Sequence, residues 1–190
     1  MDRDNLSLQI ALIHHPVLNK NDEVIGSAVT NLDIHDIART ARTYGVGRYY
    51  IATPFADQRA LVEELTGHWI SGYGAQYNPA RREALRRVQV VEDLTEAVEM
   101  QAREYAQKPL LIATSALEQK KCVAYADLRR IIGENTPVLL LFGTAHGLAP
   151  EILEACDAML PPIDGGTAYN HLSVRSAAAI IIDRLVGSQV

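Results

Sequence analysis

The sequence is poor in several residue types, and each shortage argues against a class of protein. Only two of its 190 residues are cysteines, and they form no Cys-x-x-Cys pair, so a small disulfide-rich scaffold is excluded. We expect Cys122 and Cys156 to be reduced thiols that serve packing. The longest apolar runs, Val138–Phe142 and Ala177–Ile182, are too short to cross a bilayer. Positive charge is scarce, with 18 Lys and Arg against 23 Asp and Glu, which argues against a non-specific nucleic-acid coat but allows a local basic patch.

Several familiar catalytic signatures are missing as well. The six histidines and two cysteines show neither His-Glu-x-x-His nor Cys-His ligand spacing, so we expect no metal site. The chain has no Gly-x-Ser-x-Gly elbow of a hydrolase, no phosphate-binding Gly-Lys-Ser/Thr loop and no Gly-x-Gly-x-x-Gly fingerprint. Met1–Leu6 carries three charged side chains and precedes no signal-type apolar region, so we expect a cytoplasmic protein.

What the chain does have is a regular alternation of short apolar strands and amphipathic helices. This order predicts an α/β fold, a mostly parallel sheet with helices on both faces, in a single domain spanning residues 1–190. The predicted strands are Leu8–His14, Arg48–Ala52, Val88–Val91, Pro109–Ala113, Pro137–Phe142 and Ala158–Leu160. The predicted helices are one from about Ile34 that stops at Gly45, then Phe55–Trp69, Pro79–Arg87, Leu94–Ala106, Tyr125–Ile132, Pro150–Ala155 and Leu172–Val186. The stretches Gly67–Asn78 and Pro161–Asn170 are predicted to be loops.

The sharpest local signal is the segment Phe142–Leu148, which follows the most apolar predicted strand. Ligands of open α/β sheets bind outside the carboxyl ends of the strands. Gly143 and Gly147 would let backbone approach a ligand closely, so we expect Gly143→Val to block binding. A plain strand–turn–helix connection would explain the same residues.

A second signal is the rigid loop that runs from Pro161 into the last helix. The first turn of a helix presents unpaired N–H groups that can hold a carboxylate or phosphate. Capping by Asn170 or Ser173 explains the same polar residues without a ligand. The alanines from Ala177 onward would leave room for something to pack closely.

Two further segments carry polar groups suited to RNA. Asn31, Arg39 and Arg42 lie on the first helix, the arginines off its apolar face, where a merely solvated face is the alternative. Aromatic residues spaced four apart lead into a run of arginines, a mixture that suits stacked bases and phosphates; the alternative is a solvated helix beside a buried tryptophan. These residues are Trp69, Tyr73, Tyr77, Arg81, Arg82, Arg86 and Arg87.

Taken together and in this order, the motifs resemble those of the SPOUT, or α/β-knot, class of SAM-dependent RNA methyltransferases. The matching residues are Asn31 and Arg39, then Phe142-Gly143, then Pro162-Ile163 and Leu172-Ser173-Val174. The resemblance implies a C-terminal trefoil knot, S-adenosyl-L-methionine (SAM) as cofactor, an RNA substrate such as tRNA or rRNA, and a homodimer formed near the knot. The almost wholly apolar last helix also favours a dimer.

The chain departs from the ribose-methylating branch at two places. Thr144-Ala145-His146-Gly147 stands where that branch has Asn-Glu-x-x-Gly, and Tyr169-Asn170-His171 stands where it has Ser-Leu-Asn. The acceptor therefore stays open between a ribose 2′-hydroxyl and a base nitrogen. A base nitrogen would make Asp164, Asp183 or His171 the acid/base candidate.

The resemblance also implies roles for individual residues. Arg39 would orient the substrate, since its pKa is too high for an easy base, with Asn31, Asn170 and Ser173 completing the catalytic set. The cofactor would contact Thr114, Ser115, Phe142, Gly143, Thr144, Gly147, Leu148, Leu160, Ile163, Leu172 and Ala177. RNA would contact Arg42, Trp69, Tyr77, Arg81, Arg82 and Arg86. The alternatives are a non-catalytic RNA- or nucleotide-binding module of the same fold and a Rossmann-like nucleotide-binding regulator.

Overall fold

The structure, a computed structural model, describes residues 6–117 and 121–188, and within them the chain forms strands and helices in alternation. The strands are β1 (Leu8–Ile13), β2 (Val17–Leu18), β3 (Val24–Ile25), β4 (Tyr49–Ala52), β5 (Val88–Val91), β6 (Leu110–Ala113), β7 (Val138–Gly143) and β8 (Ala158–Met159). The helices are α1 (Asn31–Thr43), α2 (Ala56–Ile70), α3 (Tyr73–Tyr77), α4 (Pro79–Leu85), α5 (Leu94–Tyr105), α6 (Tyr125–Gly133), α7 (Pro150–Ala155) and α8 (Val174–Val186).

Six strands form one parallel sheet in the order β5-β4-β1-β7-β6-β8. The centre is the pair β1 and β7, in register from Leu8 opposite Val138 to Ile13 opposite Gly143. Every residue of β1 is buried, as expected for a parallel strand covered on both faces. The predicted α/β class and mostly parallel sheet are confirmed.

Alternate residues of the strands feed two hydrophobic cores, one on each face of the sheet. Leu8, Ile10 and Leu12 of β1 join a core with α1, α2, α4, α6 and α8, whereas Ala11 and Ile13 join a core with α5 and α7. The strand period of two therefore sorts side chains between the faces. Most of the site residues considered below lie on or beside the face that carries α1 and α8.

Most predicted elements are present with ends shifted by one or two residues, but three features differ. The hairpin of β2 and β3 was not predicted, because two-residue strands show no readable alternation. The predicted loop 67–78 contains α3, and α8 begins at Val174 rather than Leu172 because Ser173 is its N-cap. Of the two thiols expected to serve packing, Cys156 is buried but Cys122 is exposed, so that prediction is wrong for Cys122.

Strand β8 is held on both sides. Leu160 N–H donates to Ala113 O at 2.9 Å on the β6 side, while Met159 N–H donates to Lys121 O and Val123 N–H donates to Met159 O, each at 2.8 Å, on the other. Strand β8 therefore lies between β6 and the segment 121–123, which come before and after the loop that follows β6. The knot itself stays a prediction. None of the helices in the described ranges is long and apolar enough to span a membrane, and of Met1–Leu6 only Leu6 lies within those ranges.

Candidate active site

Three loops meet at the edge of the sheet where β6, β7 and β8 end. Because these strands are parallel, their carboxyl ends lie on the same side, where α/β proteins bind ligands. The Thr114 hydroxyl donates to Leu141 O at 2.9 Å, which ties the loop after β6 to β7. The Asn170 amide donates to Ala116 O at 3.0 Å, which ties the loop after β8 to the loop after β6. The structure thus brings together the three predicted cofactor segments.

Within these loops, the predicted contact residues differ in what they can offer a ligand. The side chains of Phe142, Leu148 and Leu160 are buried in the two cores, so these residues can offer only backbone groups. Thr114, Ser115, Thr144, Ile163 and Ala177 are half-buried, and Leu172 is exposed. The site is therefore lined by backbone, hydroxyl groups and small apolar side chains.

The loop after β7 needs both of its glycines, for different reasons. A Cβ on Gly143 would lie 2.8 Å from Leu148 N and 3.0 Å from Gly147 C. Gly147 has φ +116°, a conformation that side chains disfavour. Apart from its two chain neighbours, no atom of the described residues lies within 4 Å of its ideal Cβ position. The expected reason for Gly143→Val therefore needs correction, since the added side chain would first meet the chain's own loop and not the ligand.

The hairpin of β2 and β3, which was not predicted, is hydrogen-bonded to the loop after β7. Leu18 N–H donates to Gly147 O at 2.9 Å and His146 N–H donates to Leu18 O at 3.0 Å. Ala149 N–H donates to Pro16 O at 3.3 Å just beyond. The β7 loop is thus fixed by backbone bonds to residues about 130 positions earlier in the chain.

A chain of polar groups, buried at its His14 end, connects the end of β1 to the same loop. His14 Nδ1 lies 2.9 Å from Ser27 Oγ, Ser27 Oγ lies 2.5 Å from Thr144 Oγ1, and the Thr144 hydroxyl donates to Ile13 O at 3.0 Å. If Thr144 gives its proton to Ile13, Ser27 donates to Thr144 and His14 Nδ1 carries the proton. Burial lowers the pKa of His14 to about 4, so the ring is neutral at pH 7. Its Nε2 has no hydrogen-bond partner among the described residues.

An ion pair that the sequence did not reveal joins α1 to α8. Arg175 Nη1 donates to Asp33 Oδ1 at 2.9 Å, and Arg175 Nε lies 3.4 Å from Asp36 Oδ2. Asp33 is almost fully buried and also accepts from the Thr30 hydroxyl at 2.6 Å. Arg175 lies in the first turn of α8, where a positive charge interacts unfavourably with the helix dipole. This position is the feature of the sequence that could have indicated an acidic partner for Arg175.

The predicted catalytic residues have different surroundings in the structure. Asn31 and Arg39 are exposed on α1, two turns apart, and line a groove of about 570 Å³. Ser173 Oγ accepts from Ser176 N–H at 3.3 Å and caps α8. Asn170 does not act as the cap, because its amide donates to Ala116 O.

Of the three acid/base alternatives, two lie in the loop after β8. Asp164 Oδ1 accepts from Gly166 N–H at 2.7 Å, and His171 stacks edge-on against Tyr169 with ring centroids 5.3 Å apart. Asp183 lies ten residues beyond Ser173 on α8, about 15 Å along the helix at 1.5 Å per residue, and accepts from the Tyr44 hydroxyl at 2.9 Å. Its distance from the helix start argues against a role in the site.

The predicted stripe of aromatic residues is broken. Helix α2 ends at Ile70 and α3 begins at Tyr73, so the spacing of four does not continue along one helix. Trp69 is half-buried, with the Arg81 guanidinium carbon 4.5 Å from its ring centroid. Tyr73 and Tyr77 are 76% and 77% exposed and stack on each other with centroids 6.4 Å apart. Trp69 therefore belongs to the groove and the tyrosines to the surface beside it.

The predicted arginines also divide into groups. Arg87 donates to the carbonyls of Val46 and Gly47 and so holds the backbone before β4. Arg42 pairs with Glu83 at 2.6 Å. Arg82 is half-buried and Arg86 is exposed at the end of α4.

Within the described residues no cluster of three or more His, Cys, Asp or Glu side chains could hold a metal ion.

Comparison with known proteins gives a consistent assignment. A family model described as SAM-dependent RNA methyltransferase matches residues 7–187. A tRNA (guanine-N(1)-)-methyltransferase of Oleidesulfovibrio alaskensis is 49% identical over 98% of this chain and 43% of its own length. An uncharacterised protein of Aquifex aeolicus is 39% identical over 95% of this chain and 89% of its own length. The chain therefore spans less than half the length of the first relatives it matches.

Solved structures share the fold. The SpoU methyltransferase AviRb from Streptomyces viridochromogenes, in complex with the cofactor AdoMet (SAM), superimposes with a TM-score of 0.57 at 19% sequence identity. The match covers 98% of this chain and 61% of that structure. At this identity the likeness concerns the fold.

Proposed function

The chain belongs to the family of SAM-dependent RNA methyltransferases, and from that membership we propose that it transfers the methyl group of SAM to a nucleotide of tRNA. The observation that carries the proposal is the meeting of three loops at the carboxyl edge of β6, β7 and β8. The third loop leads into α8, which pairs through Arg175 with the helix that holds Arg39. Relatives named as tRNA methyltransferases support tRNA as the substrate. A cytoplasmic location follows as part of the same proposal.

The donor groups at the loop edge fit SAM. Ser115 offers a hydroxyl proton to a ribose or carboxylate oxygen, because its Oγ only accepts from Leu117 N–H. The Thr114 and Thr144 hydroxyls already donate to Leu141 O and Ile13 O and can only accept from the ligand. The backbone near Leu160 and Ile163 would supply the hydrogen bonds that an adenine edge needs. The ideal Cβ position of Gly147 has no atom of residues 6–117 and 121–188 within 4 Å beyond its chain neighbours, so a ligand can approach the backbone closely there. When bound, SAM supplies a methyl group on a positively charged sulfur.

The chain's own residues then position the acceptor. Arg39 is exposed at the groove and would hold a phosphate near the reacting nucleotide, which reduces the entropic cost of alignment. Ser173 and Asn170 lie where the acceptor would approach the loop after β8. The Arg175 pair with Asp33 fixes α1 against α8, and so fixes Arg39 relative to Ser173. Water exclusion around these groups would strengthen their electrostatic effect.

The acceptor atom is the open part of the proposal. A ribose hydroxyl would fit Ser173 and Asn170, whereas a base nitrogen would fit Asp164 or His171, which lie in the loop after β8. The guanine-N1 specificity is named for relatives more than twice as long as the matched segment, and it does not decide which atom this chain methylates.

The surface beside the groove is proposed to contact the RNA. Tyr73 and Tyr77 expose stacked rings, and Arg82 and Arg86 lie on the next helix. Aromatic rings stack bases and arginines bind phosphates, so this surface suits an unpaired stretch of RNA. A homodimer through α8 would place two such surfaces in one particle.

Mass spectrometry of nucleosides tests the proposal in the cell. RNA from a strain that lacks this gene should lose one methylated nucleoside, and a plasmid copy of the gene should restore it. The identity of that nucleoside names the acceptor atom. An unchanged nucleoside profile would contradict the proposal and favour a non-catalytic RNA- or nucleotide-binding module.

A further inference from the structure

The groove between α1, α2 and α4 has the composition of a nucleotide-binding site. We propose that it receives an unpaired base of the substrate RNA beside Trp69, with a neighbouring phosphate on the arginines next to it. The inference rests on the proposed RNA methyltransferase function and deepens it, because it names a second contact of the substrate, separate from the cofactor loops.

The size and walls of the groove suit a base. Its volume of about 570 Å³ falls within the usual range for small-molecule pockets. Leu32 and Leu61 line it although 60% and 45% of their surface is exposed, so a planar ligand would cover apolar surface that now faces water. Trp69 also lines the groove, with the Arg81 guanidinium over its ring.

Two of the residues that line the groove carry polar atoms without partners in the described part of the chain. His35 packs edge-on against Trp69 with centroids 5.6 Å apart, and its Nδ1 is buried with no hydrogen-bond partner among residues 6–117 and 121–188. Arg81 lies over the indole, and its Nε is likewise buried without a partner in those ranges. A buried polar atom left unpaired is costly, so a small shift of either side chain toward a nucleobase edge, which carries both donors and acceptors, would be favourable.

The protonation of His35 fits a neutral ligand. Burial lowers its pKa most, and the nearby Arg81 lowers it further; Asp36 opposes them, and Arg39 adds a still smaller lowering effect. The ring is therefore neutral at pH 7 and can either donate or accept at the buried nitrogen.

A second groove of about 400 Å³ adjoins the first and shares Arg39 and Arg81 with it. Its charged lining is Arg39, Arg42, Arg81 and Glu83, so positive groups outnumber the one carboxylate. The first groove, in contrast, balances Arg39 and Arg81 with Asp36 and Glu64. This difference places an uncharged base in the first groove and an anionic phosphate in the second.

The single tryptophan makes the proposal directly measurable, because Trp69 alone reports on the groove. A short mixed-sequence single-stranded RNA should change Trp69 fluorescence on binding, whereas an abasic RNA of the same length should bind more weakly and leave the emission nearly unchanged. Leu61→Glu, at an exposed position, and His35→Ala should each weaken binding of the base-containing RNA about tenfold, within the effect of losing one stacked base. Arg103→Gln, on α5 at the opposite face of the sheet, is the matched control and should bind like the unmodified protein.

The outcomes separate this inference from the proposed function. RNA that binds, by polarisation of a labelled strand, while Trp69 emission stays constant would overturn the groove assignment and leave the methyltransferase proposal standing. Equal affinity of Leu61→Glu and the unmodified protein would do the same. Absence of both RNA binding and methyl transfer would overturn both.

Discussion

At the scale of single residues, Gly143 determines the geometry of the loop after β7 and, through it, the proposed cofactor site. We expect Gly143→Ala to lower the stability by about 1–3 kcal/mol and to weaken SAM binding strongly, because its Cβ would lie 2.8 Å from Leu148 N and push the loop out of place. Thermal unfolding and calorimetric titration with SAM measure the two effects. Gly133→Ala in α6 is the control, since outside its own helix turn no atom of the described part of the chain lies within 4 Å of its ideal Cβ position, and alanine favours a helix. Normal SAM binding by the folded Gly143→Ala variant would show that the loop does not form the cofactor site.

His14 provides a pH-dependent prediction at the same scale. Its pKa is lowered from 6.5 to about 4 by burial, so between these values the unfolded chain holds more protons at this residue than the folded chain. The free energy of unfolding should therefore fall as the pH is lowered from about 6.5 to 4, by on the order of 3 kcal/mol from this group. Above about pH 6.5 the titration of His14 should no longer affect stability.

Denaturant titrations across the pH range, on the unmodified protein and on His14→Gln, isolate the effect. His35 also has a lowered pKa, but its contribution is common to both proteins and cancels in the difference. The variant should show a shallower loss of stability at acid pH. Parallel curves for the two proteins would mean that His14 does not cause the loss.

Residue types alone predicted some site positions and misplaced others. Ser173 was recognisable as a cap because a short hydroxyl side chain precedes an apolar helix. The chain from His14 through Ser27 to Thr144 could not be predicted, because its members are up to 130 residues apart and meet only once β1 lies beside β7.

At the scale of elements, α4 carries the prediction for RNA. Arg82→Gln with Arg86→Gln should remove about two phosphate contacts, so the slope of log K against log salt should flatten by about 1.4, at 0.7 per contact on a single strand. Arg87 is left out of the variant because it binds backbone carbonyls and so is not offered to a phosphate, while the one carboxylate of the segment, Glu83, pairs with Arg42. SAM affinity should not change, since the cofactor loops lie elsewhere.

A double variant of equal charge loss serves as the control for that measurement. Arg103→Gln with Lys108→Gln alters exposed residues in and after α5, on the other face of the sheet. The control should keep the salt slope of the unmodified protein. If the α4 variant also keeps it, RNA must enter by another surface.

Helices and strands were predicted correctly where the periodic pattern of hydrophobic residues extends over enough positions to be recognised. The central strands and α1, with its buried Ile34, Ile37, Ala38 and Ala41, follow directly from spacing. The hairpin of β2 and β3 and the short α3 did not, because two to five residues carry too little periodicity and are stabilised by contacts with distant segments.

At the scale of the whole molecule, the last helix predicts a second copy. Ala177, Ala179 and Ile180 of α8 are only half-buried within one chain, and Leu172 just before it is 46% exposed. Burying these side chains between two copies would be favourable. Light scattering at micromolar concentration should give about twice the chain mass of 20.9 kDa. A particle of one chain mass would contradict the dimer and any site shared between chains.

The sequence pattern was sufficient for the fold class but not for the geometry of the site. Alternating strands and helices predicted a parallel sheet, and parallel strands bring their carboxyl ends to one edge, so the meeting of the three loops followed from the fold. The strand order and the Arg175 pair with Asp33 could not be predicted, because they depend on which elements become neighbours, and neither spacing nor composition encodes this.

The most direct test of the account is methyl transfer in a purified system. The protein is incubated with SAM labelled in its methyl group and with unmodified tRNA, and label in the recovered RNA is counted. We predict incorporation by the unmodified protein and by Arg103→Gln, and a loss of about a hundredfold in Arg39→Ala, which lacks the group that orients the substrate. Binding of both SAM and RNA with no label in the RNA would contradict the account.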